Sequence, residues 1–243
     1  MRRRYWLLIL GLTVAGMVFA TCWLGNEHVG RAFGRVLEGQ EDSGRKNQAL
    51  EDLLAKGAEA KGAILEIALN PQTEIDKRLR AVEWLGQHTD RGDSTRVASL
   101  LQPHNALALR LAVGKTINRT GCSPACVRIV LHYLERIWRG DRASEDRFRS
   151  NTSELDRTGL LKEELLAYVL STLQKEKSST LGVLESIYGL GSTTPSPFAV
   201  YVVDEINLKE ACGDMTIPFV GMPPDDVVRS SLDRTVRRLC KQE

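Results

Sequence analysis

Apolar residues recur at three- and four-residue steps through most of the chain after residue 48, which is the spacing of amphipathic helices. The pattern predicts one helix over residues 49–69 and a second over residues 72–87, joined at Asn70 and Pro71 as a helical hairpin. The residues that mark the two inner faces are Leu50, Leu53, Leu54, Gly57, Ile64, Leu65 and Ala68, followed by Ile75, Leu79, Val82 and Leu85.

The next part of the chain continues this pattern. Residues 94–101 form a short apolar segment that ends at Gln102 and Pro103, and residues 105–117 are apolar almost all round, which predicts a buried helix closed by Gly121. Ser123 is then a suitable N-cap with Pro124 at the first helical position. The inner face of this fifth helix is predicted to carry Val127, Val130, Leu131, Leu134, Ile137 and Trp138.

Beyond the fifth helix, residues 139–157 are dense in charge and are predicted to form a charged linker or an exposed helix. Two further amphipathic helices are expected in the C-terminal helical region, residues 158–243, the second of them ending at Gly189 or Gly191.

Strand and helix signals conflict in the segment that follows. Residues 198–203 (FAVYVV) have strand propensity, but Ser196-Pro197 is a helix-start signal and Gly213 a helix-stop signal, which slightly favours a helix over residues 197–212. A final helix is expected over residues 225–240. The fold class predicted for the whole chain is all-α.

Two segments resemble the helical units of HEAT repeats. Residues 63–87 (AILEIALNPQTEIDKRLRAVEWLGQ) place a proline-containing turn between two helices, followed by Asp76 and Arg80, and residues 98–117 resemble a second unit about 31 residues later. This spacing is shorter than the roughly 40 residues typical of the family. The resemblance, which covers residues 49–138, implies stacked hairpins whose exposed face binds another macromolecule, with few residues devoted to chemistry.

The N-terminus has the features of a membrane anchor. Residues 5–24 are 20 uncharged residues, long enough to span about 30 Å as a helix, and Tyr5, Trp6 and Trp23 lie near its ends. Three arginines precede this span, which predicts a cytoplasmic N-terminus and a bulk that is periplasmic or extracellular. Residues 1–25 would form the transmembrane helix, and the glycine- and charge-rich residues 26–48 a linker.

Two alternatives for this N-terminal segment remain open. A cleaved signal peptide could end at Val18-Phe19-Ala20, although the apolar stretch exceeds the roughly 7 to 15 residues usual for such signals. In a lipoprotein, Cys22 would be the acylated residue, but Phe19 and Thr21 fit poorly before it.

Charge argues against nucleic-acid binding. Without the three arginines that precede the apolar span, the chain has 30 basic residues against 31 acidic ones. A nucleic-acid binder would need a clustered basic surface to neutralise phosphates.

Four cysteines follow the apolar span, at Cys122, Cys126, Cys212 and Cys240. In an exported region they permit two disulfides, of which Cys122–Cys126 and Cys212–Cys240 is the most local pairing. Four free buried thiols fit the sequence at least as well. Cys122 and Cys126 could also meet His132 as metal ligands, but the spacing matches no common zinc module.

No complete catalytic motif is present in the sequence, since GxSxG, P-loop and HExxH patterns are all missing. We therefore expect no catalytic, cofactor-binding or metal-binding residues. The predicted function is a non-enzymatic, membrane-anchored interaction or scaffold protein that presents a helical repeat surface to a protein partner outside the cytoplasm. The alternative is an exported enzyme or thiol redox protein that uses the region of Cys122 and Cys126.

One surface is a candidate for the contact with the partner. On the second helix of the hairpin, an exposed charged stripe is expected around a possible aromatic anchor, because aromatic rings are enriched at contact hot spots. Its predicted members are Glu74, Lys77, Arg78 and Glu83, with Trp84 as the anchor. A tryptophan beside a leucine, as Trp84 is beside Leu85, is nevertheless more often a core residue than an interface residue.

Overall fold

A computed structural model describes residues 48–144, 152–192, 195–216 and 227–240. All regular elements in these ranges are helices, and no strand occurs among them, so the predicted all-α class is confirmed. The chain divides into two compact units, Met1–His88 and Thr89–Glu243.

The described part of the first unit contains three helices and a 3₁₀ turn: α1 (Gln48–Ala55), the turn (Gly57–Ala60), α2 (Lys61–Leu69) and α3 (Ile75–His88). Helices α2 and α3 pack against each other as the predicted hairpin. The prediction of one continuous helix over residues 49–69 is wrong. Gly57 has a φ of 63°, a left-handed conformation that ends the helical hydrogen bonding between α1 and α2.

Most of the predicted apolar stripe forms the core of the first unit, but Ile75, predicted on the inner face of α3, is 39% exposed. Leu53, Ile64 and Leu85 are fully buried, and Leu50 and Leu65 are almost so. Each buried aliphatic side chain of this size contributes about 1.5–3 kcal/mol relative to an exposed one.

The second unit consists of eight described helices and two 3₁₀ turns. They are α4 (Ser94–Ala98), the turn Ser99–Leu101, α5 (Leu107–Thr120), α6 (Pro124–Ser144), α7 (Thr152–Lys175), α8 (Lys177–Tyr188), α9 (Pro197–Glu205), the turn Lys209–Ala211, α10 (Cys212–Thr216) and α11 (Val227–Cys240).

Helix α5 is buried on most of its surface, as its composition predicts, although Ala108 and Lys115 are exposed. It packs on α4 and most extensively on α7, and Leu109, Val113 and Ile117 are fully buried. A Cβ atom at Gly114 would lie 2.8 Å from a methyl carbon of Leu165, so the glycine permits the close approach of α5 and α7.

Helix α6 begins as predicted. Pro124 is its first residue, and the Ser123 hydroxyl oxygen accepts a hydrogen bond from the backbone N–H of Cys126 at 3.2 Å. The predicted inner-face residues Val127, Val130 and Leu131 are fully buried. Helix α6 contacts α4, α7 and α8. Beside its contact with α8, part of the α6 surface lines an open groove.

The C-terminal elements differ in part from the prediction. Residues 198–203 are helical in α9, but this helix ends at Glu205 rather than at residue 212, and Asn207 there has a φ of 53°. Gly213 does not stop a helix, because it lies within α10. Helix α8 does end at Gly189, which has a φ of 65°, and α11 packs on α9 and α10.

The predicted membrane span over residues 5–24 lies outside the described residues. Among the helices that the structure does describe, none combines the length and the apolar character needed to cross a bilayer. The predicted charged linker over residues 139–157 includes the end of α6 and the start of α7, and residues 145–151 lie outside the described ranges.

Candidate functional site

An open groove of about 350 Å³ runs along α6 in the second unit. Its floor comes from Arg128, Ile129, His132, Tyr133 and Arg136 of α6, one side from Leu101, Gln102 and Pro103, and the other side from Ile187 and Tyr188 at the end of α8. We call it the α6–α8 groove.

The spacing of the α6 residues explains why one helix forms the floor. Residues four apart on a helix lie one above the other, so Arg128, His132 and Arg136 form one row, and Ile129 and Tyr133 form the row beside it. The groove therefore has one row that carries two permanently charged arginines, which we call the cationic row, next to an apolar row.

The apolar part of the groove is partly open to solvent. The side chain of Ile187 is 49% exposed, whereas Tyr133 is buried. The ring of Tyr188 packs against the fully buried ring of Phe198, with centroids 5.1 Å apart. The Phe198 ring therefore supports the Tyr188 ring at this end of the groove.

Glu135, on the same helix, has its charge compensated within the protein. The Tyr188 hydroxyl donates a hydrogen bond to Glu135 Oε2 at 3.1 Å, and Arg139 pairs with Glu135 Oε1. His132 Nδ1 lies 3.8 Å from Glu135 Oε2. Burial, and then the charge of Glu135, raise the pKa of Tyr188, so its hydroxyl remains a neutral donor.

The cationic row, in contrast, is open on its outer side. Arg128, His132 and Arg136 are all exposed, and Arg136 Nη1 donates to the neutral Gln102 Oε1 at 3.5 Å. In the described ranges, no carboxylate lies within ion-pair distance of Arg128 or Arg136. The groove consequently presents two permanent positive charges that the described residues do not neutralise.

A second cavity of about 270 Å³ lies between α5, α6 and α7, and Tyr133 lines both. Arg110 Nη1 donates to the Tyr133 hydroxyl at 3.1 Å, and its guanidinium lies 6.0 Å from the centre of the Tyr133 ring. Burial raises the pKa of Tyr133, and Arg110 opposes this rise. Together these contacts hold Tyr133 in the wall that separates the two spaces.

The four cysteines form the most local of the possible disulfide pairings, Cys122–Cys126 and Cys212–Cys240, and the alternative of free thiols does not hold for them. Cys122 and Cys126 are fully buried. The backbone N–H of Cys122 donates to Glu176 Oε1 at 3.1 Å, and Arg91 bridges its carbonyl oxygen to Glu176. These contacts tie the short disulfide loop to the junction of α7 and α8.

The structure does not bring the candidate metal ligands together. The His132 side chain is 64% exposed and faces the α6–α8 groove, which neither Cys122 nor Cys126 lines. A cysteine in a disulfide has no thiolate to offer a metal. No group of three or more potential metal ligands occurs within the described part of the chain.

The predicted exposed stripe on α3 is wrong at two positions, since Lys77 and Arg78 are 5% and 7% exposed. Arg78 Nε donates to the carbonyl oxygen of Ala68 at 3.0 Å, and burial lowers the Arg78 pKa. Carbonyl groups in the last turn of a helix lack partners in that helix, so Arg78 satisfies one at the end of α2. Trp84 stacks on His88, with ring centroids 3.9 Å apart.

Sequence reasoning missed the α6–α8 groove, although one signal was readable. Arg128, His132 and Arg136 follow each other at four-residue steps, which places three basic residues on one helix face. The groove also needs Ile187, about 50 residues further along the chain, and no local pattern indicates that contact.

Comparison of the chain with known protein families, with curated proteins and with solved structures gives no match.

Proposed function

We propose that this chain is a non-enzymatic, membrane-anchored interaction protein that docks a protein partner outside the cytoplasm. The observation that carries the proposal is the α6–α8 groove, in which apolar side chains lie beside two exposed arginines that no carboxylate of the described residues neutralises. We also propose that residues 49–138 form HEAT-like hairpins that serve as the scaffold.

The residue types in the groove favour a protein ligand. Tyrosine and arginine are enriched where proteins bind one another, and a hot spot combines an aromatic or apolar centre with polar residues around it. Ile187 is exposed beside Tyr188, and Arg128 and Arg136 border the same space. A partner side chain inserted between them would exclude water from apolar surface that is now exposed.

The thiol redox alternative has less support. A thiol–disulfide exchange reaction starts when a thiolate attacks one of the two sulfur atoms, and this requires access to them. Cys122 and Cys126 are fully buried, and their loop is held by Glu176 and Arg91. These are the features of a structural disulfide.

The proposed location rests on two features of the chain. Residues 5–24 are apolar and long enough to anchor it, with the arginines at positions 2–4 on the cytoplasmic side. Disulfides persist in oxidising compartments such as the periplasm or the cell exterior, and the chain forms two of them.

Photo-crosslinking in intact cells tests the function. Ile187→benzoylphenylalanine places a crosslinker in the groove, and the control Leu160→benzoylphenylalanine places one on α7, where Leu160 is 66% exposed and does not line the groove. We expect a discrete crosslinked protein with the first variant and none with the second.

Two results would overturn the proposal. One is the absence of any crosslinked protein from the Ile187 position, and the other is the same set of products from both positions. Non-specific encounters would produce the second result, because both side chains are exposed.

A further inference from the structure

We infer that the segment the α6–α8 groove binds is an acidic, apolar peptide of the protein partner. This inference rests on the proposed function and adds the chemistry of the ligand. Three features carry it: the charge of the groove, the length of its cationic row and the apolar side chains beside that row.

The charge of the groove selects an anionic ligand. Arg128 and Arg136 are exposed and have no carboxylate partner among the described residues, whereas Glu135 is already paired with Arg139 and hydrogen-bonded by Tyr188. A carboxylate of the ligand would therefore meet unpaired guanidinium groups, which bind carboxylates through paired N–H donors. A cationic ligand would meet repulsion.

The length of the row selects a polymer over a small anion. Arg128 and Arg136 are eight residues apart, which is about 12 Å along a helix. A peptide with acidic residues at a matching spacing contacts both along the row. The apolar side chains of Ile129 and Ile187, beside the row, then contact the aliphatic side chains of the same segment.

The same features argue against a nucleic acid. Proteins that bind single strands stack bases on exposed aromatic rings. Of the two tyrosines in the groove, Tyr133 is only 4% exposed, and the half-buried Tyr188 ring already packs against Phe198. Apart from the arginines at positions 2–4, the chain has no excess of basic residues. The groove has three basic side chains, all in this row, and its other lining residues are apolar or neutral.

Binding of a defined probe tests this inference. The probe is a fluorescent dodecapeptide of glutamate and leucine in helical spacing, and its control is the same peptide with every glutamate replaced by glutamine. The full chain is held in nanodiscs of zwitterionic lipid. We expect saturable binding of the acidic peptide that weakens in about 0.5 M salt, because salt screens exposed charges.

Matched variants locate the binding. Arg128→Glu with Arg136→Glu should raise the Kd at least about tenfold, because attraction at two exposed sites becomes repulsion. Arg234→Glu, an equally exposed arginine on α11 that does not line the groove, should change the Kd by less than about twofold. Ile187→Ser should raise the Kd about fivefold through the lost apolar contact. Circular dichroism checks that each variant is folded.

The inference is overturned if the acidic peptide does not bind, if the glutamine peptide binds equally well, or if the double reversal leaves the Kd unchanged. Equal competition by inorganic phosphate or by oligothymidylate would also overturn it, since either would show a general anion site. The crosslinking experiment distinguishes failure of this inference from failure of the proposed function. If Ile187→benzoylphenylalanine still captures its partner in the double-reversal background, the groove docks a protein but does not select acidic segments.

Discussion

The two disulfides of the second unit close chain segments of very different length, and this predicts unequal contributions to stability. Cys212–Cys240 joins residues 28 apart, and Cys122–Cys126 joins residues 4 apart. A disulfide stabilises chiefly by restricting the unfolded chain, and the loop-entropy relation gives about 3.6 kcal/mol for the long loop and about 1.9 kcal/mol for the short one.

Two double variants isolate each contribution. Cys122→Ala with Cys126→Ala keeps only the long loop, and Cys212→Ala with Cys240→Ala keeps only the short one. Urea unfolding of each variant, oxidised and then reduced, gives the free energy of its remaining disulfide without a change of side chain. We expect the long loop to contribute more by about 1.7 kcal/mol. Equal contributions, or a larger one from the short loop, would refute the reasoning.

Three further predictions concern individual side chains. Burial, a hydrogen bond to Asp214 and the charge of Asp214 raise the pKa of Glu185 in the folded protein. Protonated Glu185 therefore stabilises the folded state in acid, and this contribution is lost as the pH rises through that pKa. Glu185→Gln should therefore raise the free energy of unfolding near neutral pH, measured by urea unfolding, by at most about 0.5 kcal/mol for so exposed a group, and leave it unchanged below about pH 4. Arg78→Met leaves the Ala68 carbonyl without its donor and should lower the unfolding free energy of the first unit by about 1–3 kcal/mol, measured by thermal melting. Gly182→Ala, on α8 with open space around the added methyl, should raise stability by up to about 1 kcal/mol, and a lower melting temperature would contradict this.

The helices that sequence reasoning located best are those with strong local signals. Ser123 and Pro124 define the start of α6, and Gly189 defines the end of α8, because caps depend on residues adjacent in sequence. The buried character of α5 followed from its composition alone, since a helix that is apolar on all sides must lie inside the fold.

The misses have a common cause, which is that tertiary contacts decide them. Gly57 can adopt either a helical or a left-handed conformation, and nothing in the local pattern selects the break. Lys77 and Arg78 have the composition of a surface, but Arg78 is buried because it reaches a carbonyl ten residues away on another helix. The same holds for the α6–α8 groove, which forms only when α8 brings Ile187 to α6.

The central claim is that these helices act outside the cytoplasm while the chain stays attached to a membrane. Membrane fractionation with protease added from the outside, followed by mass determination under thiol-blocking conditions, tests it most directly. The account predicts an uncleaved chain in the membrane fraction, cut only from the outside, with both disulfides oxidised. A soluble product lacking about 20 residues, as after removal of a signal peptide, would contradict the anchor. Protection from outside protease, with free thiols at Cys212 and Cys240, would contradict the location.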